Sequence, residues 1–506
     1  MSLELLDQSQ YAHMAAQATK ALRKDATTQG ITTGLGMVFF DLRPPAYLLY
    51  PLNTPLRNSI PRSGKVNAGV GTAAHWKAYV NPNATSNYSG VAEGQRNAFL
   101  SFQEKDYTAA YKEIGQESFT TFTGQFAGEG FTDPMADSQT MVLHSIMLSE
   151  EGMLLGGNAS NALGTPAQPT VVLKTGTGIT TATNVSVAVV ALTHFGYQIQ
   201  GGSAAVANGL APTTTRNNAD GTTTTVNGGT SHISAMSAVV TTTGGTLTVL
   251  ASVTPIAGAV AYAWYVNSTD ASSPSLSNAK LAAVTTAPSY LISALPNSGN
   301  QTGAATGLNT DCSQNSLSFD GLLTIAAMNG IWNNLNGASL TPNSDGTIQE
   351  FETVLSTLWN NYQATVDAIY VSSDQLSLVT RAIMAGSGGN PSAFRFNLAA
   401  GGEQGKIVGG SLAVSYLSKY TMTGVKDIPI KLHPALTPGT IYFDISTNPY
   451  PNSRLTNVRE ILTQRDYYTL LYPLRTRRWE YGTYVHEVLA HRLPQLTAVI
   501  SGAATS

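Results

Sequence analysis

The chain has 506 residues, a net charge of −3 and only 11% charged residues, against about 25% in an average soluble domain; 47 glycines and 61 threonines fill the deficit. This excludes a basic nucleic-acid-binding chain, a charge-driven disordered chain, since 42% of residues are hydrophobic, and a disulfide scaffold, since Cys312 is the sole cysteine. Met1–Gln10 is acidic without the apolar stretch of a secretory leader, and no apolar run approaches the ~18 residues that cross a bilayer, so the expectation is a large soluble protein of two or three domains.

In chain order, residues 1–25 form an amphipathic helix pattern on Leu5, Ala12, Ala15, Ala16 and Leu22, with Lys20, Arg23 and Lys24 in the last turns. Residues 34–62 interrupt short apolar runs with prolines at 44, 45, 51, 55 and 61. Proline donates no amide hydrogen bond, so this reads as an extended strap rather than a central strand. Residues 63–112, with strand-like runs at 75–80 and 97–102, carry little core of their own and read as a long hairpin reaching outward. Asp133-Pro134 is a helix start. Val142, Ile146 and Met153 lie on one stripe, and Gly156-Gly157 is a stop, giving a helix of about 33 Å.

Composition shifts near residue 165. From 176 to 300 the only charged residues are Arg216, Asp220, Asp270 and Lys280. Strand-like runs at 184–193, 234–243, 246–256, 259–266 and 281–293, separated by turn residues, predict an all-β sandwich. Alternation in 259–266 places Tyr262 and Trp264 on one face, as the sandwich core, with Ala261, Ala263 and Tyr265 on the other. Residues 201–230 read as a long mobile loop. Beyond 315 the pattern is mixed. A helical stripe runs through Ile348, Phe351, Leu355, Leu358 and Tyr362, and a strand over 368–371 leads through Ser372, Ser373 and Asp374 into a helix over 375–384. Further strands are expected at 427–431, 439–446 and 479–489. Seven arginines (454, 459, 465, 475, 477, 478, 492) interleave with Glu460, Asp466, Glu480 and Glu487.

The motifs that resemble chemistry fail on spacing. Gly401–Ile407 has three residues before Gly-Lys where a phosphate loop needs four, and Ile407 replaces the Mg²⁺-binding hydroxyl. His486 and His491 are i, i+5 apart, not the i, i+4 that puts two zinc ligands on one helical face; on a strand they face opposite ways. Ser387 lacks the first glycine and the preceding strand of a nucleophile elbow. Cys312 has no base near it in sequence. No cofactor, metal or catalytic constellation is expected, so the chain reads as a structural protein and not an enzyme.

The segment LRPPAYLLYPLNTPLRNSIPR over 42–62, followed by GKVNAGVGTAAHWKAY over 64–79, resembles the strap and extended loop of tailed-bacteriophage major capsid proteins. The helix at 133–155 is similar to that family's spine helix, 368–385 to its axial domain, and 425–500 to its closing peripheral strands. The resemblance implies an α+β phage major capsid fold: arm and strap over 1–62, extended loop over 63–115, and spine helix with the first part of the peripheral domain over 116–164. An inserted immunoglobulin- or fibronectin-like sandwich follows over 165–300, then an axial domain over 301–425 and a peripheral return over 426–506. It further implies capsomers (hexamers and pentamers) that close into an icosahedral shell around double-stranded DNA contacted non-specifically, in a virion assembled in the host cytoplasm. Separate scaffold, portal and decoration proteins are its expected partners, and a membrane is not. Near-zero net charge lets many copies pack without mutual repulsion. The interface candidates are Leu52, Pro55, Leu56, Arg57, Ile60, Arg62 and Trp76 from strap and loop, and Arg475, Arg477 and Arg478 from the Arg-rich segment, which inter-subunit ion pairing suits better than DNA contact. Two alternatives stay open: an encapsulin-type nanocompartment shell, and an extracellular adhesin whose Tyr262/Trp264 face stacks on sugars.

Overall fold

The structure is a computed structural model that describes residues 53–64, 71–81, 90–97, 99, 103–128, 132–386, 415–422, 424–450, 453 and 455–505. The helix expected over 1–25, most of the strap including Leu52, Ser387, Gly401–Ile407 and Arg454 lie outside these residues. The chain divides into two compact units, 1–50 with 128–133 and 51–127 with 134–506. In the first, the Thr132 amide donates to the Gly128 carbonyl at 3.0 Å. All that follows concerns the second.

Pro55 opens a one-turn helix, α1 (Pro55–Ser59), where its missing N–H costs nothing. The two-residue strand β1 (Arg62–Ser63) then pairs in parallel at a sheet edge. The end of the strap is therefore helical and paired, not extended as its prolines suggest. β2 (Ala73–Asn81) and β3 (Gln103–Ala110) form an antiparallel two-stranded hairpin. β4 (Lys112–Thr121) runs into α2 (Phe122–Gly128), and α3 (Pro134–Gly156) spans about 34 Å at 1.5 Å per residue. Its buried stripe, Val142, Ile146, Glu150 and Leu154, has strict i, i+4 spacing.

The segment over 165–300 holds β5 (Thr170–Lys174), β6 (Asn184–Leu192), the short helices α4 (His194–Ile199) and α5 (Ala205–Asn208), β7 (Thr213–Asn217), β8 (Thr223–Asn227), β9 (Val240–Thr241), β10 (Thr248–Ser252), β11 (Ala261–Asn267), β12 (Lys280–Thr285) and β13 (Ser289–Ile292). The sheets β13-β10-β5 and β12-β11-β6-β9 share one apolar cluster containing Tyr262 and Trp264. The opposite face of β11, Ala261, Ala263 and Tyr265, enters a second cluster with Ala205, Leu210 and Leu308. The central sheet is thus covered on both sides, which explains its unbroken apolar strands. Residues 201–230 are not a featureless loop: they contain α5 and the β7–β8 hairpin.

The strand expected over 234–243 survives only as β9. A serine-spaced strap replaces the rest. Ser231, Ser234 and Ser237 each donate a backbone N–H to the carbonyls of Ala191, Val189 and Val187, and each hydroxyl accepts the amide of that same residue. A hydroxyl every third residue therefore satisfies the amides of Val187, Val189 and Ala191 along the strand edge.

The last part contains α6 (Leu322–Asn329), β14 (Ile331–Asn334), α7 (Gln349–Tyr362), β15 (Ala368–Val371), α8 (Ser373–Gly386), β16 (Ser415–Ser418), β17 (Lys426–Leu432), β18 (Ile441–Asp444), β19 (Arg459–Leu471), β20 (Arg478–His491) and β21 (Ala498–Ser501). A mixed six-stranded sheet, β14-β21-β18-β15-β17-β16, packs on the α7 stripe, with Phe351 edge-on to Phe443 and Tyr416. The sheet β1-β19-β20-β4 packs on α1 and α3 through Leu56, Ile60, Ile146, Ile461, Val485 and Leu489.

The two stems of the insert meet at a neck. The Gly321 amide donates to Gly157 at 2.8 Å, the Asn315 amide donates to Asn158 at 2.7 Å, and Asp320 accepts the amides of Ala159 and Ser160. Gly156 admits the His194 ring where a Cβ would sit within 2.2 Å of it, and His194 Nδ1 lies 2.7 Å from Thr437 Oγ1. Residues 161–314 contribute nothing to the two apolar clusters outside the insert. Replacing 161–314 with a short Gly/Ser linker should leave a soluble remainder with cooperative unfolding by circular dichroism. Excising 176–300 instead leaves β5 without β10 and should give insoluble protein. The reverse pair of outcomes would place the boundary elsewhere.

Candidate assembly surfaces

A buried charge cluster fastens α1 and β1 to α3. The Arg62 guanidinium bridges Glu150 and Glu487, the latter at 2.8 Å, and reaches Asp466 at 3.3 Å at the solvent rim. Arg57 Nε donates to Glu150 at 3.0 Å, and Tyr467, which also donates to Glu150, lies under both guanidiniums. Both carboxylates are fully buried. Burial and the neighbouring Glu150 charge raise Glu487 well above the usual carboxylate range, against the pull of Arg62. One residue along α3, Glu151 accepts the amides of Leu56 (2.9 Å) and Arg57 (2.7 Å), capping the otherwise unsatisfied start of α1. His433 Nε2 completes that site 2.7 Å from Glu151.

Several interface candidates are therefore internal. Leu56 and Ile60, 1% and 3% exposed, sit in the chain's own core, and Arg57 and Arg62 are paired within the chain. The expectation that this part of the strap lacks its own core is corrected for residues 55–63. Pro55 is half-buried at the first helical position. Trp76 stacks on Tyr107 at 5.9 Å beneath the Arg492 guanidinium, at the base of the β2–β3 hairpin.

Two other regions stay exposed. The outer half of the β2–β3 hairpin has Lys77 paired to Glu104 at 2.9 Å; Tyr79 is 72% exposed, and Phe99, between the strands in sequence, 93%. A two-stranded ribbon is at best marginally stable alone. At the far end of the β1-β19-β20-β4 sheet, Phe119, Phe122, Phe126, Leu471 and Leu474 form a second exposed apolar surface, with Trp479 stacked on Phe122 at 4.3 Å. Arg478 is spent on Glu480 (2.6 Å) and the Phe119 ring. Arg475 and Arg477 are exposed, and neither makes an ion pair among the described residues.

The remaining arginines serve the fold. Arg459 binds Asp444 at 2.5 Å in the interior, Arg492 binds Glu460, and Arg465 lies 3.7 Å over Tyr468. His486 faces Tyr468 and Glu113, whereas His491 is fully buried, pushed down to about 3 by burial and Arg459, so the two histidines share no site. Among the described residues no His/Cys/Asp/Glu group could hold a metal, and no helix is long and apolar enough to cross a membrane. Cys312 is buried, which raises its thiol further. Tyr262 and Trp264 have no exposed surface, which removes the sugar-stacking role that the adhesin alternative gave them; their polar atoms bind the Ile256 amide and the Thr285 hydroxyl.

Sequence reasoning missed Glu150, Glu151 and Glu487. A signal existed: Glu150 occupies the buried i, i+4 stripe, and a carboxylate there demands a cation from elsewhere.

No family model and no curated protein match the chain. Solved structures similar to it over most of its length include the capsid of Myoviridae phage XM1, with 8% identity, 94% of this chain and 100% of that one covered, and a TM-score of 0.39. Others are the capsid of cyanophage A-1(L), at 9%, 94%, 99% and 0.40, and the holo-SrpI encapsulin complex of Synechococcus elongatus PCC 7942, at 6%, 92%, 94% and 0.38.

Leu56→Ala should cost about 2–5 kcal/mol of subunit stability, read from the urea midpoint, whereas Arg477→Ala should stay within about 0.5 kcal/mol. Equal midpoints would remove Leu56 from the subunit core.

Proposed function

We propose that this chain is a major capsid subunit of the tailed-phage type, whose work is association rather than catalysis. The observation that carries this is a pair of exposed surfaces on an otherwise well-packed chain: the β2–β3 hairpin, and the tip of the β1-β19-β20-β4 sheet, whose Arg475 and Arg477 make no ion pair among the described residues. They differ in chemistry. The hairpin segment mixes Lys77, Arg96 and Lys105 with Glu93, Glu104 and Asp106 around the exposed Tyr79 and Phe99, whereas the tip offers Arg475 and Arg477 with exposed phenylalanine and leucine side chains. A contact between unlike patches is heterologous and makes rings where its rotation closes, as hexamers and pentamers require.

In this reading the capsomers close into an icosahedral shell around double-stranded DNA, held non-specifically, in a virion assembled in the host cytoplasm. The small net charge favours many copies side by side over strong DNA attraction. Arg475 and Arg477 serve neighbouring subunits, and separate scaffold, portal and decoration proteins complete the particle. The neutral 165–300 segment, read as immunoglobulin-like, decorates the outer surface. An encapsulin-type shell shares the surfaces and differs in its contents.

Electron microscopy of the purified protein should show shells or capsomers, and absorbance on the same particles should show nucleic acid. A monomer at all concentrations ends the capsid reading, and shells filled with protein alone replace it with the nanocompartment. Replacing Arg475 and Arg477 together by Glu should abolish particles while leaving subunit melting unchanged; unaltered particle yield would exclude the tip as an interface.

A further inference from the structure

The loop between β17 and β18 is gripped from two sides. On one side it serves the strap. His433 Nδ1 accepts the Ala435 amide at 3.2 Å, which places the ring proton on Nε2, and Nε2 donates to Glu151 at 2.7 Å. Glu151 in turn accepts the Leu56 and Arg57 amides, while Thr54, ahead of α1, makes no side-chain cap. The cap of α1 is therefore a carboxylate of α3 whose own partner is a histidine of this loop, and both side chains are buried.

On the other side the loop meets α4. His194 Nδ1 lies 2.7 Å from the Thr437 hydroxyl, the polar partner of that buried ring among the described residues, and the Gln198 amide donates to the Ala435 carbonyl. Ala435 thus faces both ways, its N–H on His433 and its C=O on Gln198. Leu436, between the two contacts, belongs to the apolar cluster that also holds Leu56 and Ile60.

We propose that α4 sets the grip on the strap: by holding Ala435 and Thr437 it keeps His433 aimed at Glu151, and displacing α4 from this loop loosens α1 from α3. The element with two states is α1 itself. Five residues are too few for a helix that stands alone, so α1 is helical when docked and loses its turn when it leaves. Glu151 is covered in the docked state and meets water once α1 departs. A donor lost from Glu151 is replaced by water only in the undocked state, so the loss weighs on the docked state alone. The Gln198 and Thr437 contacts therefore reach α1 through the aim of one imidazole.

The test is hydrogen–deuterium exchange of the full-length protein at one pH, comparing the Leu56 and Arg57 amides with those of β6 and β11. The Gln198→Ala/Thr437→Val pair removes both polar contacts of α4 with the loop and leaves His433, Glu151 and the strap intact. It should speed exchange of the α1 amides about fivefold, the worth of one net hydrogen bond, with β6 and β11 unchanged. His433→Ala should show the same acceleration, and adding the pair to it should change nothing further, because both act through one side chain. Unchanged α1 exchange in the pair overturns the proposal, and so does an effect of the pair that adds in full to that of His433→Ala. Should His433→Ala fail to fold, His433→Asn, too short to reach Glu151, takes its place in the comparison.

Discussion

The fold depends on a single guanidinium placed between two buried carboxylates. Arg62 comes from the strap, Glu150 from the long helix and Glu487 from the central strand of the peripheral sheet, 88 and 425 residues away in sequence. Removing charges from water costs several kcal/mol per ion, so such a cluster specifies an arrangement more than it stabilises one. Only one placement of α1 and β1 satisfies Arg57, Arg62 and the two α1 amides together. A five-residue helix has no independent stability; α1 exists because Glu151 caps it and Leu56 and Ile60 anchor it in the core.

The inserted segment is attached by a different logic. Its stems hydrogen-bond to each other, and it touches the rest of the chain again at Thr437, Ala435 and Asn336, without contributing a side chain to either of the other two apolar clusters. Inside, hydroxyls replace charges as the polar currency. Serines 231, 234 and 237 satisfy one edge of β6, and the Thr285 hydroxyl accepts from the fully buried Trp264. This gives a physical meaning to the low charge of the sequence, because Ser and Thr side chains bind backbone groups at far lower desolvation cost than ions.

Two surfaces of the chain stay exposed. The outer half of the β2–β3 ribbon and the Phe- and Leu-rich peripheral tip lack apolar cover, whereas every large residue of β6 and β11 has it. Large exposed apolar patches rimmed by polar residues are usual marks of interaction sites.

Much of the local structure was legible in the residues. The strand at 368–371, the helix from 134 to 156, the α7 stripe and the two-faced alternation of 261–266 follow from periodicity and caps, which depend on near neighbours in sequence. What failed was non-local. The prolines of 55–61 hid a helix that requires Glu151, and the serine-spaced strap has a period belonging to no regular element. Leu56 looked like interface because the core that receives it is built from residues far along the chain. Sequence alone determined the element types of those segments and the scarcity of charge over 176–300, because these are set by composition and short-range pattern. Only the tertiary structure decided which charges are buried together, where the insert's stems meet and which apolar side chains remain for a partner, because burial is a property of contacts between distant segments.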